Sequence, residues 1–263
     1  MDALPKTDQP NMVPIQLRAA VLHREAVALN ELGDYSKALD IYAQVFKINQ
    51  GLAAADPQDW HGQAVLVADL DDEATVYEYA ADPALGATPG DRRRNLAAAE
   101  KLITQELPIV EKGFKHDPAN EMWKGQMADV QIRIGTIRSI LHESGDSEAL
   151  AAKGIAVLKE MAEQKQTSSD LLNAVADELL TVEPNSLRDS ATAVMYAERA
   201  VTLSYRRVPS ILLTQAQAYR ASGQAEKSRA TAREGLALLP APQPGGVKPR
   251  LRKLLEIQAQ PVI

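Results

Sequence analysis

Apolar residues recur along this chain at steps of three and four, the spacing of one face of an α-helix, nearly from end to end. In LRAAVLHREAVALNELGDYSKALDIYAQVF the pattern runs through two amphipathic helices and is interrupted at Gly33-Asp34. Glycine ends a helix at little cost because it accepts a left-handed backbone. Two helices with so short a break between them lie antiparallel as a hairpin. PSILLTQAQAYRASGQAEKSRATAREGLALLP repeats the arrangement, with Gly223 as the break and Pro240 as the stop. Between these segments, DPQDWHGQ and DPANEMWKGQ share Asp-Pro followed by Trp-x-Gly-Gln, so Trp60 and Trp123 mark a diverged internal repeat. The pattern predicts about five hairpins, at roughly 14–55, 58–116, 119–166, 168–204 and 208–240, then a terminal helix near 247–259. Ala80–Asp91, dense in Gly and Pro, is the one long loop inside a hairpin, and Pro240–Gly246 detaches the last helix. Such hairpins cannot each bury their apolar face alone; stacked side by side they share one continuous core, giving an elongated all-α domain.

Composition agrees. Alanine makes up about one residue in six, against two Phe and two Trp, which favours helix over sheet. The absence of cysteine removes disulfides, thiolate zinc sites, iron–sulfur clusters and thiol nucleophiles together. No segment approaches the ~20 apolar residues of a membrane span. The opening MDALPKTDQPNMVPIQ has neither a basic n-region nor an apolar h-region, which points to a cytoplasmic protein.

Charge is distributed unevenly within the net −6. From Ile48 to Asp91 there is no Lys or Arg, but there are nine acidic residues, among them Asp69, Asp71, Asp72, Glu73 and Glu78. From Tyr205 to the end, ten basic residues stand against three acidic ones. The acidic region 48–91 suits a basic partner, and the opposed ends would allow salt-sensitive head-to-tail self-association. Nucleic acid is disfavoured, because the basic stretch offers only Tyr205 and Tyr219 for stacking and the overall balance is acidic.

The hairpins resemble the tetratricopeptide repeat family. The first carries the small-residue ladder Ala26, Gly33-Asp34-Tyr35, Ala38 and Tyr42; the last matches at Ala216, Tyr219, Gly223 and Pro240 and departs at Ser228 and Gly235, where the family favours Ala. LRDSATAVMYAERAVTL, with Ala193, Ala197 and Ala200, resembles a further second helix. The resemblance implies a right-handed superhelical solenoid of about five antiparallel hairpins with a C-terminal capping helix. Its parts would be a disordered N-terminal segment at 1–13, the repeat domain at 14–240, and a linker with the capping helix at 241–263. More narrowly, GLAAADPQDW, LRDSATAVMYAERAV and AYRASGQAEKSRATAREGLAL resemble the repeat arrays that follow bacterial serine/threonine kinase domains. That implies an alternative role as a sensor or docking region of a larger signalling enzyme, with an extracytoplasmic location if that enzyme is membrane-anchored. No kinase signature is present in the chain itself.

Candidate chemistry is sparse. His23, His61, His116 and His142 stand more than four residues apart, so none forms a helical pair of metal ligands. Asp69-Leu-Asp71-Asp72-Glu73 lacks the Gly and the later Glu of a calcium loop and lies in a helical pattern. GATPGD has no Lys-Ser or Lys-Thr after it, and Arg92-Arg93-Arg94 follows at a helix start that Asp91 can cap. The expectation is a non-enzymatic protein with no catalytic residue, metal or cofactor. The resemblance instead implies a concave groove for a protein or peptide. Its lining would include His23, Asn30 and Glu31 in the first hairpin, His61 and Asp69 in the second, Lys124 and Gln131 in the third, and Gln217 and Arg220 in the last. His23 and Val27 occupy two positions where the family's carboxylate clamp needs Lys and Asn, which argues against an adaptor for chaperone tails.

Overall fold

The structure, a computed structural model, describes residues 13–142, 145–241 and 249–261. Its long elements are all helical: α1 (Val13–Leu32), α2 (Tyr35–Ala55), α3 (Trp60–Ala80), α4 (Pro89–His116), α5 (Glu121–Leu141), α6 (Ser147–Ala162), α7 (Ser169–Thr181), α8 (Ser190–Leu203), α9 (Pro209–Ala221), α10 (Ala225–Ala237) and α11 (Pro249–Ala259). There is no strand among the described residues. The helices pair as α1–α2, α3–α4, α5–α6, α7–α8 and α9–α10, close to the five predicted hairpins, and α11 packs on α9 and α10. α11 also touches α1, so the first and last elements of the chain meet. Of the segment 1–13, only Val13 lies within the described residues, at the start of α1, and most of the break at Pro240–Gly246 lies outside them.

The breaks form as their residues dictate. Gly33, at φ +81°, ends α1, and the Asp34 carboxylate accepts the Lys37 backbone N–H to begin α2. At the next hairpin the cap is Thr88 rather than Asp91. The Thr88 hydroxyl accepts the Asp91 N–H at 3.2 Å while the Asp91 carboxylate accepts the Thr88 N–H at 3.4 Å, so Asp91 belongs to the first turn of α4. Arg94 then pairs with Asp91 at 2.7 Å, which places one arginine of the run against a local carboxylate.

Small residues set how closely the helices approach. Ala26 and Ala38 are fully buried with Tyr42 and Val76. Gly235, where the family resemblance favours Ala, lies directly under the Leu255 methyls, so the departure makes room for α11. Ala128 and Ile132 of α5 crowd Gly154 of α6, and Gly135 of α5 abuts Ala151. These contacts commit that face of α5 to α6. The two tryptophans of the sequence repeat also pack together. Trp60 stacks on His116 with ring centroids 4.4 Å apart and meets Trp123 edge to face, and Trp123 lies flat against Gly113.

Candidate functional site

A cavity of about 820 Å³ opens between the N-terminal halves of α1 and α3, with the C-terminal half of α2 behind it. It exists because the positions facing it are small: Ala19, Ala20, Ala53, Gly62 and Ala68. Its polar lining includes His23, His61, Asn49 and Asp69, together with Asp56 and Asp59, and among the described residues no Lys or Arg lines it. Asn49 and Asp69 are buried, and the Asn49 amide donates to Asp69 Oδ2 at 2.8 Å. Burial raises the Asp69 pKa, opposed by that hydrogen bond and by His23. His23 Nδ1 lies 3.6 Å from Asp72, and its ring meets Tyr42 edge on. The Asp72 carboxyl is pushed up to about 6 by burial, with Asp71 and Asp69 adding to the shift and His23 and Arg133 opposing it.

Beyond the cavity, α3, α5 and α7 bring carboxylates around a single guanidinium. Arg133 of α5 donates through Nε and Nη2 to the Glu78 carboxylate, both at 3.0 Å, and through Nη1 to Asp71 and, at 3.4 Å, to Asp129. Burial disfavours the Arg133 charge, but these three carboxylates outweigh it and hold its pKa above the ordinary value. Asp129 is pushed up to about 6 by burial, against the pull of Arg133. On α7, burial raises Asp177 to about 6 and lifts Glu178 well above the carboxylate range, with Asp129, Asp177 and Glu78 adding repulsion at Glu178. Glu106 of α4 is 0% exposed, and neither of its oxygens has a hydrogen-bond partner. Burial pushes it up to about 9, so it is neutral at pH 7.

The residues expected to line one groove fall in several places. His23, His61 and Asp69 share the cavity. Asn30 and Glu31, at the other end of α1, are engaged by the chain's own α11: Arg250 donates to Glu31 Oε1 at 3.0 Å and to Asn30 Oδ1 at 3.3 Å. Lys124 pairs with Glu160 of α6 at 2.8 Å, and Gln131 is buried. In α5 the residues turned toward α3 are Asp129 and Arg133, because Ala128, Ile132 and Gly135 are held against α6. Gln217 is half-buried on α9, and Arg220 donates to the Ile257 carbonyl at 2.9 Å and to Gln258, fixing the end of α11. Arg250, from the basic C-terminal stretch, pairs with Glu31, which lies outside the acidic region 48–91.

Sequence reasoning missed Arg133, Asp129, Asp177, Glu178 and Glu106. A signal for the first was available, since a stretch with nine carboxylates and no cation needs a countercharge from elsewhere. Among the described residues no three His, Asp or Glu side chains converge as a metal ion would require, and no helix is long and apolar enough to cross a membrane.

No family model matches the chain, and no curated protein sequence matches it. Among solved structures, the chain is similar to an assembly chaperone of RpL4 (Acl4, residues 1–338). The two are 19% identical, over 92% of this chain and 84% of that one, with a TM-score of 0.35. At that score the likeness carries no argument about function.

Proposed function

We propose that this chain is a non-catalytic, tetratricopeptide-type scaffold, a right-handed superhelix of hairpins whose concave face holds a basic segment of another polypeptide. The observation that carries the reading is the cavity between α1 and α3: about 820 Å³, walled by small apolar residues, with three aspartates and, among the described residues, no Lys or Arg in its lining. A space of that size takes several side chains, and its chemistry suits an apolar stretch bearing a Lys or Arg. The cluster on α3 and α5 extends the same preference, since three carboxylates around the Arg133 guanidinium leave a net negative field that attracts cations and repels acidic partners.

The test is binding of fluorescein-labelled amphipathic Lys/Arg peptides, followed by anisotropy. Ala68 lines the cavity and is exposed, so Ala68→Trp fills the space without disturbing the core. The plugged protein is expected to bind at least about tenfold more weakly, and wild-type binding to weaken between about 50 mM and about 300 mM salt. Undiminished binding by Ala68→Trp, or a preference for acidic peptides, overturns the reading.

A further inference from the structure

Arg250 reaches from the first turn of α11 to residues about 220 positions earlier in the chain. Its guanidinium carbon stands 3.5 Å from the centroid of the Tyr79 ring, well inside the range of a cation–π contact. Two of its nitrogens donate to Glu31 and Asn30, and the Tyr35 phenol also faces it. The Arg250 side chain is only 12% exposed. A ring face, a carboxylate and an amide oxygen arranged around one planar fork are the elements of an arginine site; a lysine would forfeit the stacking and the second hydrogen bond.

α11 does not depend on this contact for its place. Leu255 is fully buried over Gly235 and clusters with Leu213, Ala216 and Ala232, and Arg220 fixes the helix at Ile257. Arg250 can therefore leave Tyr79 while α11 stays docked on α9 and α10. The site it fills adjoins the acidic field. The Asp177 and Glu78 charges both act on Tyr79, Glu78 being the one already paired with Arg133. A basic segment lying along α7 and α3 would run from Asp177 to Tyr79, where it meets Arg250.

We propose that Tyr79, Glu31 and Asn30 form an arginine-binding site for the partner, and that Arg250 occupies it in the free protein as a built-in stand-in. The inference rests on the scaffold reading above and adds to it both a residue preference and an inhibitory contact. A ligand arginine must displace Arg250, so the free protein shows an affinity reduced by the fraction of molecules in which the site is open.

The test uses the full chain and two labelled peptides that differ only in carrying Arg or Lys at every basic position. Arg250→Ala is expected to bind the Arg peptide about tenfold more tightly than wild type and to gain clearly less for the Lys peptide. Adding Glu31→Gln to Arg250→Ala should cancel the gain. Arg250→Lys keeps the charge while losing the fork, and serves if the alanine variant folds poorly; it should show the same preference with a smaller gain. Circular dichroism establishes that each variant is folded. Equal or weaker Arg-peptide binding by folded Arg250→Ala or Arg250→Lys overturns the proposal, as does an equal gain for both peptides. If binding is weakened by Ala68→Trp and untouched by the Arg250 variants, this inference alone falls. If no variant binds either peptide, the scaffold reading falls with it.

Discussion

Trp60 and Trp123 meet edge to face with ring centroids 6.2 Å apart, so the two matching motifs of the sequence are joined in space by the residue they share. Trp123 is 2% exposed and lies against the bare Cα of Gly113. A Cβ at Gly113 would stand within 2.8 Å of three indole carbons, a clash that the ring must relieve by moving. Gly113→Ala gains helix propensity but must push the indole aside, and overpacking of this kind costs about 1–3 kcal/mol. Urea unfolding should therefore show Gly113→Ala to be less stable than wild type, and a neutral or stabilised variant would show that Trp123 has room to move.

Among the described residues Arg133 is the sole cation paired with Asp71, Glu78 and Asp129, and its side chain is 10% exposed. Removing one partner of a buried ionic cluster leaves the others uncompensated, at about 3–5 kcal/mol. Arg133→Met should lose stability on that scale at pH 7. The deficit should shrink toward pH 5, as Asp129, already raised to about 6 with the arginine present, takes up a proton. A deficit independent of pH would mean that lost packing, not charge, dominates.

Glu106 makes the opposite demand on pH. Its folded value, about 9, lies above its ordinary value of 4.5, so between these the folded chain holds a proton that the unfolded chain has released. Stability from this group is thus fully present below about 4.5 and falls as pH rises through 9, by at most about 1.4 kcal/mol per pH unit. Glu106→Gln removes the titration. The variant should match wild type near pH 5 and exceed it at pH 8 in thermal unfolding; parallel pH profiles would refute the assignment.

The Thr88–Asp91 box begins α4. Thr88→Ala removes its hydroxyl acceptor and should cost about 1 kcal/mol, read as a fall of about 2–4 °C in Tm. Thr88→Ser should recover most of it.

Helix positions were legible in the sequence because each break has a local cause. Gly33 and Gly223 take positive φ at the tips of the first and last hairpins, and the small pairs Ala26–Ala38 and Ala216–Ala232 lie where those helices press closest. His142, which ends α5 at φ 58° without glycine, gave no such signal. Rotation about a helix axis is a harder property to infer than its ends. The Trp-x-Gly-Gln repeat suggests one inward line for α3 and α5, yet the glycines at 135 and 154 turn α5 so that Ala128 packs on α6 and Arg133 faces α3. The cavity was half legible, through His23, His61 and Asp69. Its volume comes from alanines on three helices, whose common direction only the packing reveals.

The contact between α1 and α11 changes how the ends of the chain should behave. In an open row of repeats the terminal units fray first and independently, because each lacks a neighbour on one side. Here Glu31 and Asn30 of the first hairpin are tied to Arg250 of the last helix, so opening one end removes a contact from the other. Amide protons at the C-terminal turn of α1 should therefore exchange in step with those at the start of α11. Deleting α11 would loosen a hairpin more than 200 residues away in sequence.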